Sequence, residues 1–144
     1  MNAKLQGWLR LSNSERWRFV LLLLELPVVS LLLAMIGYSR TRRAIERCSS
    51  RAGTRNPTMV ELAAAERLAQ LATLAGTHGP LRANCLRQSL LTYLLLRRQG
   101  FCPALQLGAR RQDGQFDAHA WVELEGQALG QADLQHRAFQ PRSA

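Results

Sequence analysis

The chain has almost no lysine, few cysteines and no recognisable metal motif. Of its 19 basic residues only Lys4 is a lysine, so the positive charge is carried by arginine. The three cysteines, Cys48, Cys85 and Cys102, form no CxxC pair, and no HxxxH spacing occurs. These absences exclude a disulfide framework and the common zinc motifs, so we expect no metal and no cofactor. An odd cysteine count leaves room for one reactive thiol.

The N-terminus also lacks a signal peptide. A short basic region, an apolar stretch and a small-residue cleavage site do not follow one another there. The absence of a signal peptide and the odd number of cysteines together predict a protein of the reducing cytoplasm.

The composition indicates one globular domain with a basic surface. The chain has 144 residues, 47% of them hydrophobic, and a formal net charge of +9. A basic surface suits an anionic partner such as nucleic acid, acidic lipid or acidic peptide, and a solvated surface without a ligand is the competing interpretation. A nucleic-acid-binding module is disfavoured because the sequence has no aromatic stacking pattern and no recognition motif.

Residues 19–38 form an almost wholly apolar segment. Its length would permit a membrane span. However, Glu25 would cost roughly 2–3 kcal/mol near the bilayer centre, and Pro27 removes a backbone donor. We therefore expect two buried helices broken near Pro27, with a peripheral membrane or partner-protein contact and a true span as alternatives. The whole of residues 1–58 is interpreted as an apolar and basic helical region.

Capping residues and hydrophobic periodicity predict an α+β fold. Helix starts are predicted at Ser12, Thr58 and Asn84, and the last of these helices extends to Gln99. After Pro103 the apolar period changes to two, and a turn at residues 113–114 precedes a second strand over 116–124. A third short strand is predicted from residue 127 to about 131. The order of elements is helices first, then an antiparallel meander.

Cys85 and His119 are the candidate catalytic pair. Cys85 follows the predicted cap Asn84, and the free N–H groups and dipole of a helix start favour a thiolate there. The same N–H groups could bind an oxyanion. His119 lies 34 residues further on, on the strand face opposite the all-apolar positions, where the cysteine helix could cover it. A thiol and a general base are the parts of a nucleophilic cysteine site, although a buried cysteine and a structural histidine are the competing interpretations.

The residue that would orient His119 depends on one turn. If the turn between the second and third strands consumes residues 124–126, Gln131 lies opposite His119. If it consumes residues 125–127, Asp133 takes that place. The sequence leaves both alternatives open.

Three blocks of the second half form a recognisable combination. They are C-L-R-Q-S-L at residues 85–90, L-L-R-R-Q-G at 95–100, and A-H-A-W-V-E at 118–123 with Gly126 following. In these blocks, over roughly residues 80–131, the chain resembles the B proteins of lasso peptide biosynthesis. Those proteins are leader peptidases with a transglutaminase-like, papain-related core. The resemblance implies that residues 59–144 are such a core, within one compact domain overall.

The resemblance also implies a function and partners. Cys85 would be the nucleophile, His119 the base and Asp133 or Gln131 the orienting residue, in a peptidase that removes the leader from a ribosomally made precursor peptide. Because helical sequence precedes Cys85, we expect the stand-alone form, which works with a separate small leader-binding protein. An asparagine-synthetase-like cyclase would then close the ring. The alternative is a non-catalytic adaptor that presents the precursor to the cyclase.

Overall fold

Three helices precede a small antiparallel sheet in the part of the chain that the structure describes. The computed structural model describes residues 12–49, 53, 55–78, 83–112, 114–130 and 137–138. The helices are α1 (Asn13–Cys48), α2 (Met59–His78) and α3 (Cys85–Arg98). The strands are β1 (Ala104–Gln112), β2 (Gln115–Leu124), β3 (Gln127–Ala128) and β4 (Arg137–Ala138). The predicted α+β class is confirmed.

All three helix starts carry the predicted caps. At Ser12 the hydroxyl accepts from the amide of Glu15, whose carboxylate accepts from the amide of Ser12, which is a complete capping box. Thr58 and Glu61 repeat the arrangement before α2. These local side-chain bonds satisfy amides that have no partner inside the helix, so they fix where each helix begins.

Helix α1 is not broken at Pro27, and the expectation of two buried helices is wrong. The helix continues through Pro27, and its backbone leaves helical geometry at Gly37, where φ is 77° and ψ is 172°. Pro27 is exposed, so water can bind the carbonyl that loses its partner there. Only glycine readily adopts the conformation at residue 37. The helix is also buried on one side only.

The sheet has the strand order β3-β2-β1-β4. Strands β1 and β2 pair from Ala104↔Glu123 to Gln112↔Gln115, which confirms the predicted antiparallel hairpin of these two strands. The short edge strand β4 pairs with β1 opposite Gly108 and Ala109, and this pairing was not predicted.

The turn between β2 and β3 differs from both predicted registers. Leu124 pairs with Gln127, so the turn consists of Glu125 and Gly126 alone, with φ values of 51° and 74°. Two consecutive positive φ angles are typical of a type I′ hairpin turn. Extending this register would place residue 132 opposite His119, so neither predicted alignment holds for the described pairing. Gly130, with φ of 69°, interrupts the extended backbone before that point.

The core lies between the three helices and one face of the sheet. Leu22 and Leu26 of α1, Leu71 of α2 and Leu90 of α3 are at most 1% exposed and belong to one cluster with Val122 of β2. The helices therefore hold the N-terminus of α3 and the middle of β2 at fixed positions, and the candidate site residues lie on these two elements.

Candidate active site

Asn84 and Gln88 fix the N-terminal end of α3, where Cys85 is the first helical residue. The Asn84 side chain accepts from the amide of Arg87 at 3.2 Å, and its carbonyl accepts from the amide of Gln88 at 3.2 Å. The Gln88 side chain donates to the carbonyl of Ala83 at 2.7 Å. The cap bonds use the amides of Arg87 and Gln88 and not that of Cys85. The backbone at Cys85 is therefore held by hydrogen bonds of Asn84 before it and Gln88 after it.

Gly76 makes room for this arrangement at the end of α2. A Cβ at Gly76 would come within 2.4 Å of Gln88 Nε2, so a larger residue would displace the glutamine. The carbonyl of Gly76 also accepts from the amide of Ala83 at 2.9 Å. The end of α2 thus holds the segment that leads into α3.

His119 is partly exposed on β2 and stacks against a buried tryptophan. The rings of His119 and Trp121 are 6.0 Å apart between centroids and 19° from parallel. Trp121 is 2% exposed, and its Nε1 donates to Oε1 of Glu123 at 2.9 Å. Gln106 of β1 donates to the other carboxylate oxygen at 3.2 Å. A series of contacts along one face of the sheet therefore limits the orientations open to the imidazole.

Ser89 connects the two elements directly. Its hydroxyl, one helical turn after Cys85, donates to the carbonyl of Ala120, next to His119, at 2.9 Å. Ser89 is 8% exposed, so this bond lies in a region of low water content. It fixes the position of the cysteine helix against the histidine strand.

Cys85 and His119 line the same cavity. Its volume is about 230 Å³, and its wall is formed by α2, α3, β2 and the segment that follows β3. That segment is attached to α2, because the amide of Gly130 donates to Oε2 of Glu66 at 2.8 Å. A Cβ at Gly130 would lie 3.1 Å from the Cβ of Ala69, so the approach is close. The cavity is large enough for a few atoms of a peptide backbone around one carbonyl.

The other candidate residues lie elsewhere or outside the described residues. Gln131 and Asp133, the two candidates for the orienting residue, lie outside them. Cys48 and Cys102 are exposed and do not line the cavity. His78 is exposed at the end of α2, where its Nδ1 contacts the hydroxyl of Thr77. In the part of the chain that is described, no three His, Cys, Asp or Glu residues are grouped as a metal site would need.

Three residues of the site were not assigned from sequence. The alternation of the strand predicts that Trp121 shares a face with His119. It does not predict that Trp121 is buried or that its indole donates to Glu123. Ser89 and Gln88 lie four and three residues after Cys85, at the spacing of one helical turn. Ala83, the partner of Gln88, lies directly before the cap Asn84. Ala120, the partner of Ser89, comes from a distant segment of the chain, and the sequence gives no signal for such a pair.

Comparison with known protein families places the candidate site within a matched region. A family model described as Transglutaminase-like superfamily matches residues 22–144. No curated protein and no solved structure matches the chain. The matched range includes the whole candidate site and begins within α1.

Proposed function

The chain belongs to the transglutaminase-like superfamily, and on this basis we propose that it is a cysteine peptidase that removes the leader from a precursor peptide of lasso peptide biosynthesis. The superfamily includes cysteine peptidases and transglutaminases. The observation that supports the proposal most is that Cys85 and His119 line one cavity. The resemblance of the blocks around both residues to the lasso peptide B proteins supports the narrower substrate class.

The proposed reaction has two steps. The Cys85 sulfur attacks the carbonyl of the scissile peptide bond, and His119 takes the thiol proton and gives it to the leaving amine. The amide of Cys85, which the cap does not use, donates to the oxyanion. A water molecule then attacks the thioester carbonyl while His119 accepts its proton; the C–S bond breaks, His119 returns the proton to the Cys85 sulfur, and the carboxyl end of the leader is released. Gln131 or Asp133 is proposed to orient the imidazole.

The partners follow from the same proposal. The substrate is a precursor peptide, a separate small leader-binding protein presents it, and an asparagine-synthetase-like cyclase acts on the released core. Genes for these three beside this one would supply the reagents for the assay.

Replacing Cys85 tests the proposal. In a reaction with the neighbouring precursor and leader-binding protein, we expect Cys85→Ala to abolish leader release, measured by mass spectrometry, because the nucleophile is lost. Cys48→Ala is the matched control, since that thiol is exposed and does not line the cavity, and this variant should cleave at the unmodified rate. Undiminished cleavage by Cys85→Ala would refute the peptidase proposal. Absence of cleavage in every variant, with normal delivery of the precursor to the cyclase, would support the adaptor instead.

A further inference from the structure

Helix α1 exposes a continuous apolar stripe to solvent. Six of its residues, spaced 4, 3, 4, 3 and 4 apart, are each more than half exposed, although α1 is packed into the domain on its other side. We name these residues the outer stripe: Trp17 (71%), Leu21 (52%), Leu24 (65%), Val28 (58%), Leu31 (60%) and Met35 (72%). With a rise of about 1.5 Å per residue the stripe is about 27 Å long. Soluble monomers rarely leave so long an apolar surface uncovered unless it binds something.

The stripe is wider than the contact line of a coiled coil. Its spacing matches the a and d positions of a heptad, whose neighbouring e and g positions usually carry the charges that select a partner helix. Here several of those neighbours are apolar: Val20, Pro27, Leu32 and Ala34. Of these neighbours only Arg18 and Glu25 are charged, and Glu25 contacts Arg98 of α3. So broad an apolar face fits the apolar phase of a lipid bilayer better than one partner helix.

Both ends of α1 are basic. The helix has six arginines against three glutamates, and each glutamate contacts an arginine: Glu15 with Arg67 at 2.6 Å, Glu25 with Arg98 at 2.8 Å and Glu46 with Arg42 at 3.0 Å. Arg16 and Arg18 lie beside the first residue of the stripe, and Arg40, Arg43 and Arg47 follow its end. Two copies that met through the stripe would bring basic ends together in either orientation. The charge of the helix therefore favours an anionic surface.

The inner face of α1 argues for a helix that lies in the plane of a membrane. By length and composition α1 could cross a bilayer: an 18-residue window within it has a mean hydropathy of 2.7, and 22% of the residues in that window are buried. However, Leu22, Leu26 and Val29 are at most 2% exposed in the domain core, and Glu25 contacts Arg98 of α3. Insertion across a bilayer would break these contacts. Burial of the outer stripe alone would preserve them.

We propose that the chain binds the surface of an anionic lipid bilayer through the outer stripe of α1, with the helix in the membrane plane and its arginines among the headgroups. The apolar side chains would enter the region between headgroups and acyl chains. The arginines would interact with lipid phosphates, so binding would weaken with added salt. This inference does not depend on the proposed peptidase activity.

Flotation with lipid vesicles tests the inference. The full-length chain is mixed with vesicles of phosphatidylcholine alone or of phosphatidylcholine and phosphatidylglycerol in equal parts. We expect flotation with the mixed vesicles, at least tenfold weaker binding to the neutral ones, and release by salt. Equal binding to both vesicle types, or no flotation with either, would overturn the proposal.

A matched pair of double variants distinguishes a specific role of the outer stripe from the effect of added negative charge on the whole chain. Leu24→Glu with Leu31→Glu places two carboxylates in the stripe, whereas Met59→Glu with Val60→Glu makes the same change of charge at exposed apolar residues of α2 (81% and 79% exposed). We expect at least a tenfold loss of vesicle binding in the first variant and less than a threefold change in the second, with unchanged circular dichroism in both. Equal losses would overturn the stripe as the binding surface. If the wild type is a dimer and the stripe variant is a monomer, the stripe binds a second copy of the chain and the membrane proposal is wrong. The proposal is also wrong if the chain does not float with vesicles but binds another protein through the stripe.

Discussion

At the scale of single residues, the candidate site combines contacts between near neighbours in sequence with one hydrogen bond between distant segments. Cys85 is constrained by Asn84 and Gln88, and His119 by its stacking on Trp121. Neither constraint alone sets the distance between sulfur and imidazole. The Ser89–Ala120 hydrogen bond joins the two elements beside both candidate residues and, together with the core packing of Leu90 and Val122, positions α3 against β2.

Removal of the Ser89 hydroxyl tests this positioning role. Ser89→Ala leaves the buried carbonyl of Ala120 without its donor, so we expect a loss of about 1–3 kcal/mol in the free energy of unfolding. We also expect a fall of roughly tenfold in the turnover rate, because the sulfur and the imidazole lose their alignment. Urea unfolding and single-turnover cleavage measure the two effects.

Ser30→Ala is the control for Ser89→Ala. Ser30 is also buried, at 7% exposure, but its hydroxyl has no hydrogen-bond partner among the described residues. Removal of a buried hydroxyl without a partner should not lower the free energy of unfolding, and it should leave the cleavage rate unchanged. A Ser89→Ala variant with wild-type turnover would show that the bond is structural only.

At the scale of elements, α1 shows how context overrides a local signal. The sequence places a helix breaker at Pro27, yet the distortion lies at Gly37. Proline costs little where its freed carbonyl faces water, and this depends on which side of the helix is buried. That information comes from α2 and α3 and not from α1. The caps at Ser12, Thr58 and Asn84 were predictable, because each depends on residues within one turn.

Gly37→Ala tests the strain at that distortion. No atom lies within 4 Å of the position a Cβ would take, so the cost comes from the backbone conformation alone, about 1–3 kcal/mol. Thermal or urea unfolding should show this loss, whereas Ser39→Ala, at an exposed helical residue nearby, should have almost no effect. A neutral Gly37→Ala would mean that α1 can continue as a regular helix through residue 37.

The contact between the start of α1 and α2 predicts a dependence of stability on pH. The hydrogen bond from Arg67 and that from the Ser12 amide lower the pKa of Glu15 from 4.5 to about 2. A carboxyl group with a lowered pKa in the folded state stabilises the fold above its unfolded pKa and loses that contribution as the pH falls. The wild type should therefore lose stability relative to Glu15→Gln as the pH falls from above 4.5 to about 2. Urea unfolding of the two proteins at several pH values over this range measures the difference in their free energies of unfolding. A difference that does not change with pH would contradict the lowered pKa of Glu15.

At the scale of the whole molecule, the parts that sequence could predict are those with local causes. The α+β order, the hairpin at residues 113–114 and the positions of Cys85 and His119 on a helix start and a strand follow from periodicity, caps and turns. The β2–β3 register could not be predicted, because a change of one residue in the turn moves every later side chain to the other face. The pairing of β4 with β1 and the bond from Gly130 to Glu66 depend on long-range packing. The family match and the shared cavity connect the local parts into one candidate site.

The most direct measurement of the central claim is the detection of the thioester on Cys85. An acid-quenched reaction with the precursor peptide would be digested and examined by mass spectrometry. We predict that the leader fragment is found bonded to the peptide that contains Cys85. We also predict that this thioester does not form in the His119→Ala variant, since the imidazole takes the thiol proton. A leader fragment bonded to Cys48 or Cys102, or leader release that continues at the same rate without Cys85, would contradict it.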